Sequence, residues 1–123
     1  MTAEPQWQHG KICYLILAST DPEASARFYR DVFSWKIRSH DNGDVAFDDP
    51  TGAVSGMWDT SIEARSGGYE VDIWVEDVAA TAARIVAAGG ELVGEMQQLT
   101  ANEQYQRFAD PDGNHLGLYQ HQE

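Results

Sequence analysis

Hydrophobic positions along the chain follow two spacings that alternate and then repeat. In the first half, Ala24, Phe28 and Val32 recur every four residues, which predicts a helix with one apolar face. Asp21 can cap this helix, and Pro22 suits its first turn. The other apolar runs of this half are short and bounded by turn residues, which is typical of strands. The predicted strands and turns are residues 11–18, one or two strands in 36–47, a tight turn at 49–52, and a strand at 53–58.

The second half of the chain follows the same order of elements. Residues 69–75 alternate polar and apolar positions, as a strand with two different faces does. Asp77 can cap a second helix, and Gly89 and Gly90 are typical of its end. The remaining predicted elements are strands near 91–94, 103–109 and 114–119, a turn at 110–113, and a linker between the halves at 59–68.

A short motif in each half supports this duplication. Residues 47–58 (FDDPTGAVSGMW) and residues 108–119 (FADPDGNHLGLY) share five identities at an offset of 61 positions. The two helix-capping residues, Asp21 and Asp77, stand at an offset of 56, so the extra residues fall in the hairpin region, where insertions are tolerated. Each half is therefore predicted to be one β-α-β-β-β unit.

Composition and charge narrow the set of partners. The 123 residues carry 20 acidic and 8 basic side chains, a net charge of −12. Such a surface argues against nucleic acid or an anionic membrane as partner, and it favours cationic ligands. We expect a soluble, cytoplasmic protein, since residues 1–10 do not resemble a signal peptide and no apolar run could span a bilayer. Cys13, the only cysteine, is predicted to be a buried and unreactive thiol.

Three segments carry a resemblance to a known superfamily: STDPEASARFYRDVFSW, VEDVAATAARIVAAGGELV and FADPDGNHLGLYQ. They are similar to the vicinal oxygen chelate superfamily, which includes glyoxalase I, bleomycin-resistance and fosfomycin-resistance proteins and extradiol dioxygenases. The resemblance implies an α+β fold in which two β-α-β-β-β modules form a curved mixed sheet around a cleft, with the helices outside. It also implies a homodimer and a single domain over residues 1–123, with modules at about 9–58 and 69–121.

Strand alternation assigns side chains to the cleft or to the helices. The apolar positions are expected to pack on the helices: Cys13, Leu15, Leu17, Val71, Ile73, Val75, Leu116 and Leu118. Their neighbours are then expected to face the cleft, and the repeat extends this orientation to Val54, Gly56 and Trp58. Gly56 and Gly117 would leave room for a flat ligand against the sheet. The candidate ligand-binding residues are Tyr14, Trp58, Glu70, Asp72, Trp74, His115 and Tyr119.

The resemblance also bears on metal binding. Metal-dependent members of the superfamily use up to four cleft-facing ligands, and the matching positions here are Tyr14, Gly56, Glu70 and Gly117. Only Glu70 is a usual ligand for a divalent metal, whereas about three protein ligands are usual at a catalytic site. We therefore expect no metal and no cofactor. His115 is predicted to form a hydrogen bond in the cleft wall rather than to bind a metal.

Three functions follow from these residues. The leading hypothesis is a metal-free protein that binds or sequesters a planar, cationic small molecule through aromatic and acidic side chains. The alternative is a glyoxalase-like lyase, isomerase or dioxygenase in which Glu70 acts with a metal or as a general base. The sequence identifies no other catalytic residue. A third possibility is a structural or dimerisation module whose cleft is filled by its own aromatic residues.

Overall fold

The computed structural model describes His9, residues 12–64 and residues 70–121. The chain divides into two compact units, the first ending at Glu63 and the second beginning at Ala64. Each unit contains a four-stranded mixed sheet and one helix, which confirms the α+β class and the repeated β-α-β-β-β order. Neither helix of the described residues is long and apolar enough to cross a membrane.

The first unit contains five elements: β1 (Tyr14–Ala18), α1 (Pro22–Phe33), β2 (Lys36–Ser39), β3 (Val45–Asp48) and β4 (Ser55–Asp59). The strand order is β1-β4-β3-β2, with β1 parallel to β4 and the other pairs antiparallel. Asp21 caps α1 as predicted, because its Oδ1 accepts a hydrogen bond from the Ala24 N–H at 3.3 Å. Ser34, with a left-handed φ of 62°, ends the helix.

The second unit repeats this arrangement in five further elements: β5 (Asp72–Trp74), α2 (Val78–Ala87), β6 (Glu91–Thr100), β7 (Glu103–Ala109) and β8 (His115–His121). The strand order is β5-β8-β7-β6, and only the β5–β8 pair is parallel. Asp77 caps α2 through a 3.0 Å hydrogen bond from the Ala80 N–H to its Oδ1. The helix cap that the sequence predicted therefore recurs in both units.

Strand β6 is longer than the prediction of 91–94. The pairing with β7 is irregular between Val93 and Gln97, and Gly94 adopts a φ of 73° inside this irregularity. The buried Gln106 stabilises this irregular segment of β6. The Gln106 Nε2 donates to the carbonyl oxygens of Val93 and Gly94 at 3.3 and 3.0 Å. The sequence prediction stopped at this glycine, since glycine is typical of a strand end as well as of a bulge.

The core of the first unit is a stack of aromatic rings beneath α1. Tyr29 lies on Trp35 with ring centroids 4.5 Å apart, and Trp35 lies on Phe47 at 4.4 Å. Phe47 in turn contacts Trp58 at 4.8 Å. Ring pairs at these separations add about 0.5–1.5 kcal/mol each beyond the burial of their area. These rings therefore fix the packing of α1 on β3 and β4.

The core of the second unit is mainly aliphatic. Helix α2 packs against β6, β7 and β8. Leu116 and Leu118 are almost fully buried with Ile85 of the helix, which confirms the orientation that the sequence assigned to these two leucines. Val71 and Ile73 are half-buried and Val75 is buried, whereas Asp72 and Trp74 between them are exposed. The face of β5 was therefore also predicted correctly.

The two Asp-Pro turns differ in length by one residue. In the first unit the Asp49 N–H donates to the Val54 carbonyl at 2.9 Å. In the second unit the Asp110 N–H donates to the Asn114 carbonyl at the same distance, one residue sooner. The strand after the turn is therefore shifted, and Met57, not Gly56, occupies the position of Gly117. Because side chains alternate between faces, the shift turns every residue of β4 to the opposite face from the one predicted.

Cys13 is exposed, and the prediction of a buried thiol is wrong. The residue precedes β1, which begins at Tyr14 and lies at the edge of the first sheet. The prediction continued the strand pattern to residue 11, beyond the part that pairs with β4.

Candidate functional site

The candidate site lies on the face of the second sheet that α2 does not cover, which we call the open face. Cross-strand partners share a face, so the pairing of β5, β8 and β7 defines its rows. One row runs from Asp72 through Gly117 to Arg107, and the next from Trp74 through Tyr119 to Tyr105. The polar and aromatic residues that β5, β7, β8 and the position before β5 contribute to the open face are Glu70, Asp72, Trp74, Glu103, Tyr105, Arg107, His115, Tyr119 and His121.

Glu70 is held by two side chains of β7. The Arg107 Nε donates to its Oε1 at 2.8 Å, and the Tyr105 hydroxyl donates to its Oε2 at 2.5 Å. Partial burial acts to raise the pKa of Glu70, but the hydrogen bonds from Tyr105, Asp72 and Arg107 outweigh it, and the pKa is lowered. Glu70 is therefore a fixed carboxylate and a weak base.

Asp72 has the opposite behaviour although it lies beside Glu70. Partial desolvation of its carboxyl group, followed by the hydrogen bond and the charge of Glu70, raises the pKa of Asp72 to about 6, although Arg107 acts to lower it. It is unfavourable for two neighbouring carboxyl groups to be ionised together. Glu70 is stabilised as a carboxylate by Arg107 and Tyr105, so Asp72 is the group that retains the proton. Asp72 is therefore a carboxyl group on this face whose charge changes close to neutral pH.

Gly117 makes this arrangement possible. A Cβ atom at residue 117 would lie 2.3 Å from Asp72 Oδ1 and 2.6 Å from Tyr105 Cε1. It would also lie 3.0 Å from Glu70 Oε2. The space above Gly117 is filled by these three side chains, so the prediction that a flat ligand could lie there is wrong.

Trp74 offers the most accessible aromatic ring of the open face. It is 58 % exposed on the edge strand β5, next to Tyr119 on β8. The Tyr119 hydroxyl donates to the Glu103 carboxylate, and this hydrogen bond raises the pKa of Tyr119. Tyr105 is turned towards Gly117 and Glu70. Both tyrosines are thus fixed by a carboxylate, while Trp74 presents a free ring surface.

Trp58 does not face a ligand site, and the predicted orientation is wrong. Its side chain is 2 % exposed and packs against Phe47 and Tyr29 in the core of the first unit. Gly56 shares this face, since its Cβ would meet Phe47 Cζ at 2.2 Å and the Leu15 carbonyl at 2.3 Å. The extra residue in the Asp49 turn explains both errors.

Tyr14 and His115 lie on the sheet faces that the helices leave uncovered, and whether these faces line a cleft stays a prediction. Tyr14 is exposed on the face of the first sheet that α1 leaves uncovered, across from Ser55. His115 is half-buried and shares the open face of the second sheet with Gly117 and Tyr119. Its Nδ1 is buried without a hydrogen-bond partner among the described residues. Whether either residue binds a ligand stays a prediction.

Sequence reasoning missed Tyr105, Arg107 and Glu103. The sequence does contain a sign of them, because residues 103–109 were predicted as a strand. In a strand these three alternate positions lie on one face, opposite to the apolar Phe108. The buried Gln106 obscured it, since a polar residue on the helix face breaks the expected alternation. The polar face of β7 is therefore hard to recognise from the sequence.

The uncovered face of the first sheet has a different chemistry. The Asp48 carboxylate accepts two hydrogen bonds from Arg38, one from Nε at 2.9 Å and one from Nη2 at 3.2 Å. The Ser55 hydroxyl donates to the same carboxylate at 2.5 Å. Met57 and the exposed Ile16 are cross-strand partners on this face. This face joins one satisfied ion pair to apolar and aromatic residues.

The residues at the superfamily's metal positions do not fit a metal. With the corrected register these positions are Tyr14, Met57, Glu70 and Gly117, and only Glu70 is a usual ligand for a divalent cation. Both of its oxygens already accept hydrogen bonds, from Arg107 and Tyr105. Within 12–64 and 70–121, no three His, Cys, Asp or Glu side chains are grouped to hold a metal ion.

The duplicated α+β units define the class of the protein, and comparison with known proteins identifies its family. A model of the glyoxalase-like domain matches residues 14–119. The chain therefore belongs to the glyoxalase-like domain family, within the vicinal oxygen chelate superfamily to which the sequence motifs pointed.

Individual relatives agree with this family. A glyoxylase-like domain-containing protein from Didymella fabae is 29 % identical over 115 residues, which are 86 % of this chain and 90 % of that protein. A glyoxalase/bleomycin resistance protein/dioxygenase family enzyme from Burkholderia phytofirmans PsJN has a TM-score of 0.74 at 17 % identity, over 92 % of this chain and 100 % of that one. The fosfomycin resistance protein FosX from Listeria monocytogenes has a TM-score of 0.71 at 18 % identity, over 95 % and 96 %. The two solved structures share the fold.

Proposed function

We propose that this protein binds a small, planar, cationic molecule on the open face of its second sheet, without a metal. The observation that carries the proposal is the exposed ring of Trp74 beside the carboxyl group of Asp72 on the same edge strand. A ring stacked on tryptophan gains dispersion and, if it is cationic, about 0.5–2 kcal/mol of cation–π attraction. Asp72 and Trp74 together suit such a ligand.

The charge of the open face supports a cation. Above the pKa of Asp72, which is about 6, the carboxylates of Glu70, Asp72 and Glu103 stand against the single guanidinium of Arg107. The face then carries a surplus of negative charge, in keeping with the net charge of −12 of the whole chain. A cation would be attracted over a distance of about 8–10 Å at physiological salt.

Family membership supports a small-molecule ligand without naming it. The solved structures with the same fold include a fosfomycin resistance protein and a glyoxalase/bleomycin resistance protein/dioxygenase family enzyme. Proteins that share a fold often differ in their ligands, so the chemistry of Trp74 and Asp72 decides the class proposed here. Sequestration of the ligand requires no bond to be made or broken.

A second candidate function is metal-free acid–base catalysis by a lyase or isomerase. The raised pKa of Asp72 favours it, because a general base works best with a pKa near the pH of the reaction. Asp72 replaces Glu70 as the candidate base, since Arg107 and Tyr105 hold Glu70 as a weakly basic carboxylate. Incubation of the protein with the bound compound, followed by mass spectrometry, separates turnover from binding alone.

Isothermal titration calorimetry with flat cations, neutral compounds and anions of matched shape tests the proposal. We expect cations to bind best, and Trp74→Ala to weaken them by about tenfold or more, because it removes the stacking surface. Leu99→Ala is the matched control, since Leu99 is also exposed but lies on β6 at the other edge of the sheet. Equal effects of the two substitutions, or a preference for anions, contradict the proposal.

The homodimer and the cytoplasmic location stay predictions. Sedimentation analysis of the purified protein tests the first, and fractionation of the source cells tests the second.

A further inference from the structure

We propose that Asp72, and not Glu70, is the carboxylate that contacts the ligand, and that it selects planar rings carrying a cationic N–H donor. An amidinium attached to a flat ring is the simplest example of this class. The inference rests on the proposed binding function of the open face and names the specificity of that same site. It assigns Glu70 the role of a positioning residue.

Both carboxylate oxygens of Glu70 already accept hydrogen bonds from other side chains of the protein. One of its oxygens accepts a hydrogen bond from Arg107 and the other from Tyr105, both at 2.8 Å or less. A ligand that displaced either donor from Glu70 would break a hydrogen bond to a carboxylate, which is among the stronger kinds in proteins, and a ligand that displaced neither would have to fit beside Arg107 and Tyr105. Glu70 therefore holds Arg107 and Tyr105 in place and supplies a fixed negative charge next to Asp72.

Asp72 lies close enough to Trp74 to contact a substituent of a ligand ring that is stacked on Trp74. The two residues are separated by one position on β5, so their side chains leave the same face of the strand about 6.5–7 Å apart. A group attached at the edge of a bicyclic ring covers this span when a hydrogen bond of about 2.9 Å to the carboxylate is added. A ring stacked on Trp74 thus places an attached group beside the Asp72 carboxylate.

The local chemistry favours an N–H donor over a cation without one. Asp72 and Glu70 lie within hydrogen-bonding reach of each other, and both converge on the space above Gly117. Carboxylates accept hydrogen bonds and donate none. An amidinium N–H offers Asp72 both a hydrogen bond and a positive charge, whereas a quaternary nitrogen offers only the charge.

Four probes with flat bicyclic rings separate these contributions: naphthamidine, N-methylquinolinium, naphthamide and naphthoate. We measure their dissociation constants by calorimetry for the wild type and three variants. For the wild type we expect naphthamidine to bind about tenfold tighter than N-methylquinolinium, the size expected for one charge-assisted hydrogen bond. Naphthamide is expected to be weaker than both cations, and naphthoate the weakest.

The variants assign the roles. Asp72→Asn is expected to reduce the tenfold preference for naphthamidine over N-methylquinolinium to about threefold or less. Glu70→Gln is expected to weaken both cations while the preference remains, because the fixed charge is lost but the N–H acceptor stays. Trp74→Ala is expected to weaken both cations alike. Far-ultraviolet circular dichroism and a thermal melt of each variant show that it is folded.

The outcomes are distinct. If cations bind at Trp74 but Asp72→Asn keeps the preference for naphthamidine, the assignment of Asp72 is wrong while the proposed function stands. If Glu70→Gln alone removes the preference, the two roles are reversed and the inference is overturned. If none of the four probes binds the folded wild type, both the inference and the proposed function fail.

Discussion

Asp72 and Gly117 are direct partners across β5 and β8, and the Asp72 carboxylate stands where a side chain at residue 117 would begin. Only 2.3 Å separates Asp72 Oδ1 from the position of a Cβ on residue 117. The glycine is therefore needed for the carboxyl pair of Asp72 and Glu70, together with Tyr105, to assemble on the open face.

Gly117 on β8 and Gly56 on β4 are expected to differ in their tolerance of a methyl group. Gly117→Ala should cost about 1–3 kcal/mol, because carboxylate side chains on an open face can move aside. Gly56→Ala should cost more, since its Cβ would meet the packed ring of Phe47 and a backbone carbonyl oxygen. Urea unfolding of both variants measures the order. An equal or reversed order contradicts the register derived from the Asp49 turn.

Asp72 is expected to make stability depend on pH. Its pKa of about 6 in the folded protein exceeds the ordinary aspartate pKa of 3.8, so the folded state holds the proton more tightly than the unfolded state. The stability that this proton contributes is complete below pH 3.8 and is lost as the pH rises through about 6. Asp72→Asn should therefore raise the urea midpoint relative to the wild type more at pH 7.5 than at pH 4.5. A difference in midpoint that is the same at both pH values contradicts this assignment.

Ligand binding should depend on pH through the same carboxyl group. Between pH 5 and pH 7, a group with a pKa near 6 goes from about one-tenth to about nine-tenths ionised. The affinity for a permanent cation such as N-methylquinolinium should rise up to about tenfold over this range. In Asp72→Asn the rise should disappear. A rise that persists in the variant assigns the titration to another group.

The helix face and the open face of the second sheet should respond differently to truncation. Leu118→Ala should cost about 2–5 kcal/mol, because Leu118 is fully buried against α2. Trp74→Ala should change stability by no more than about 0.5 kcal/mol, since the ring is mostly exposed. Denaturant melts of the two variants measure the difference. Comparable losses would mean that the open face is packed in solution.

The absence of a resident metal is a further expectation. The protein should purify without a stoichiometric divalent metal, and added Zn²⁺, Ni²⁺ or Fe²⁺ should bind weakly, because the superfamily's ligand positions carry only one usual ligand. Elemental analysis of the purified protein measures this. One tightly held metal per chain that is lost in Glu70→Ala would promote the metal-dependent enzyme instead.

The fold was accessible from the sequence because its signals are local. Asp21 and Asp77 cap their helices as predicted, and the parity of Ile73, Leu116 and Leu118 follows from strand alternation. Each of these assignments depends only on neighbouring residues. None depends on the number of residues in a turn.

The candidate site was less accessible because it depends on register. The matching glycines of the two Asp-Pro motifs suggested that Trp58 and Tyr119 are equivalent, yet one extra residue in the first turn puts Trp58 in the core. Turn length is set by backbone hydrogen bonds that the residue types did not reveal. Arg107 and Tyr105 were missed because their contact with Glu70 joins residues 37 and 35 positions apart.

The most direct test is a nuclear magnetic resonance titration of isotopically labelled protein with naphthamidine. We expect chemical-shift changes at the Trp74 indole N–H and at backbone amides of β5 and β8, with saturation at one ligand per chain. The indole N–H of Trp58, buried in the first unit, should not respond directly. Changes centred on the first unit, or no saturable change at any resonance, would contradict binding on the open face of the second sheet.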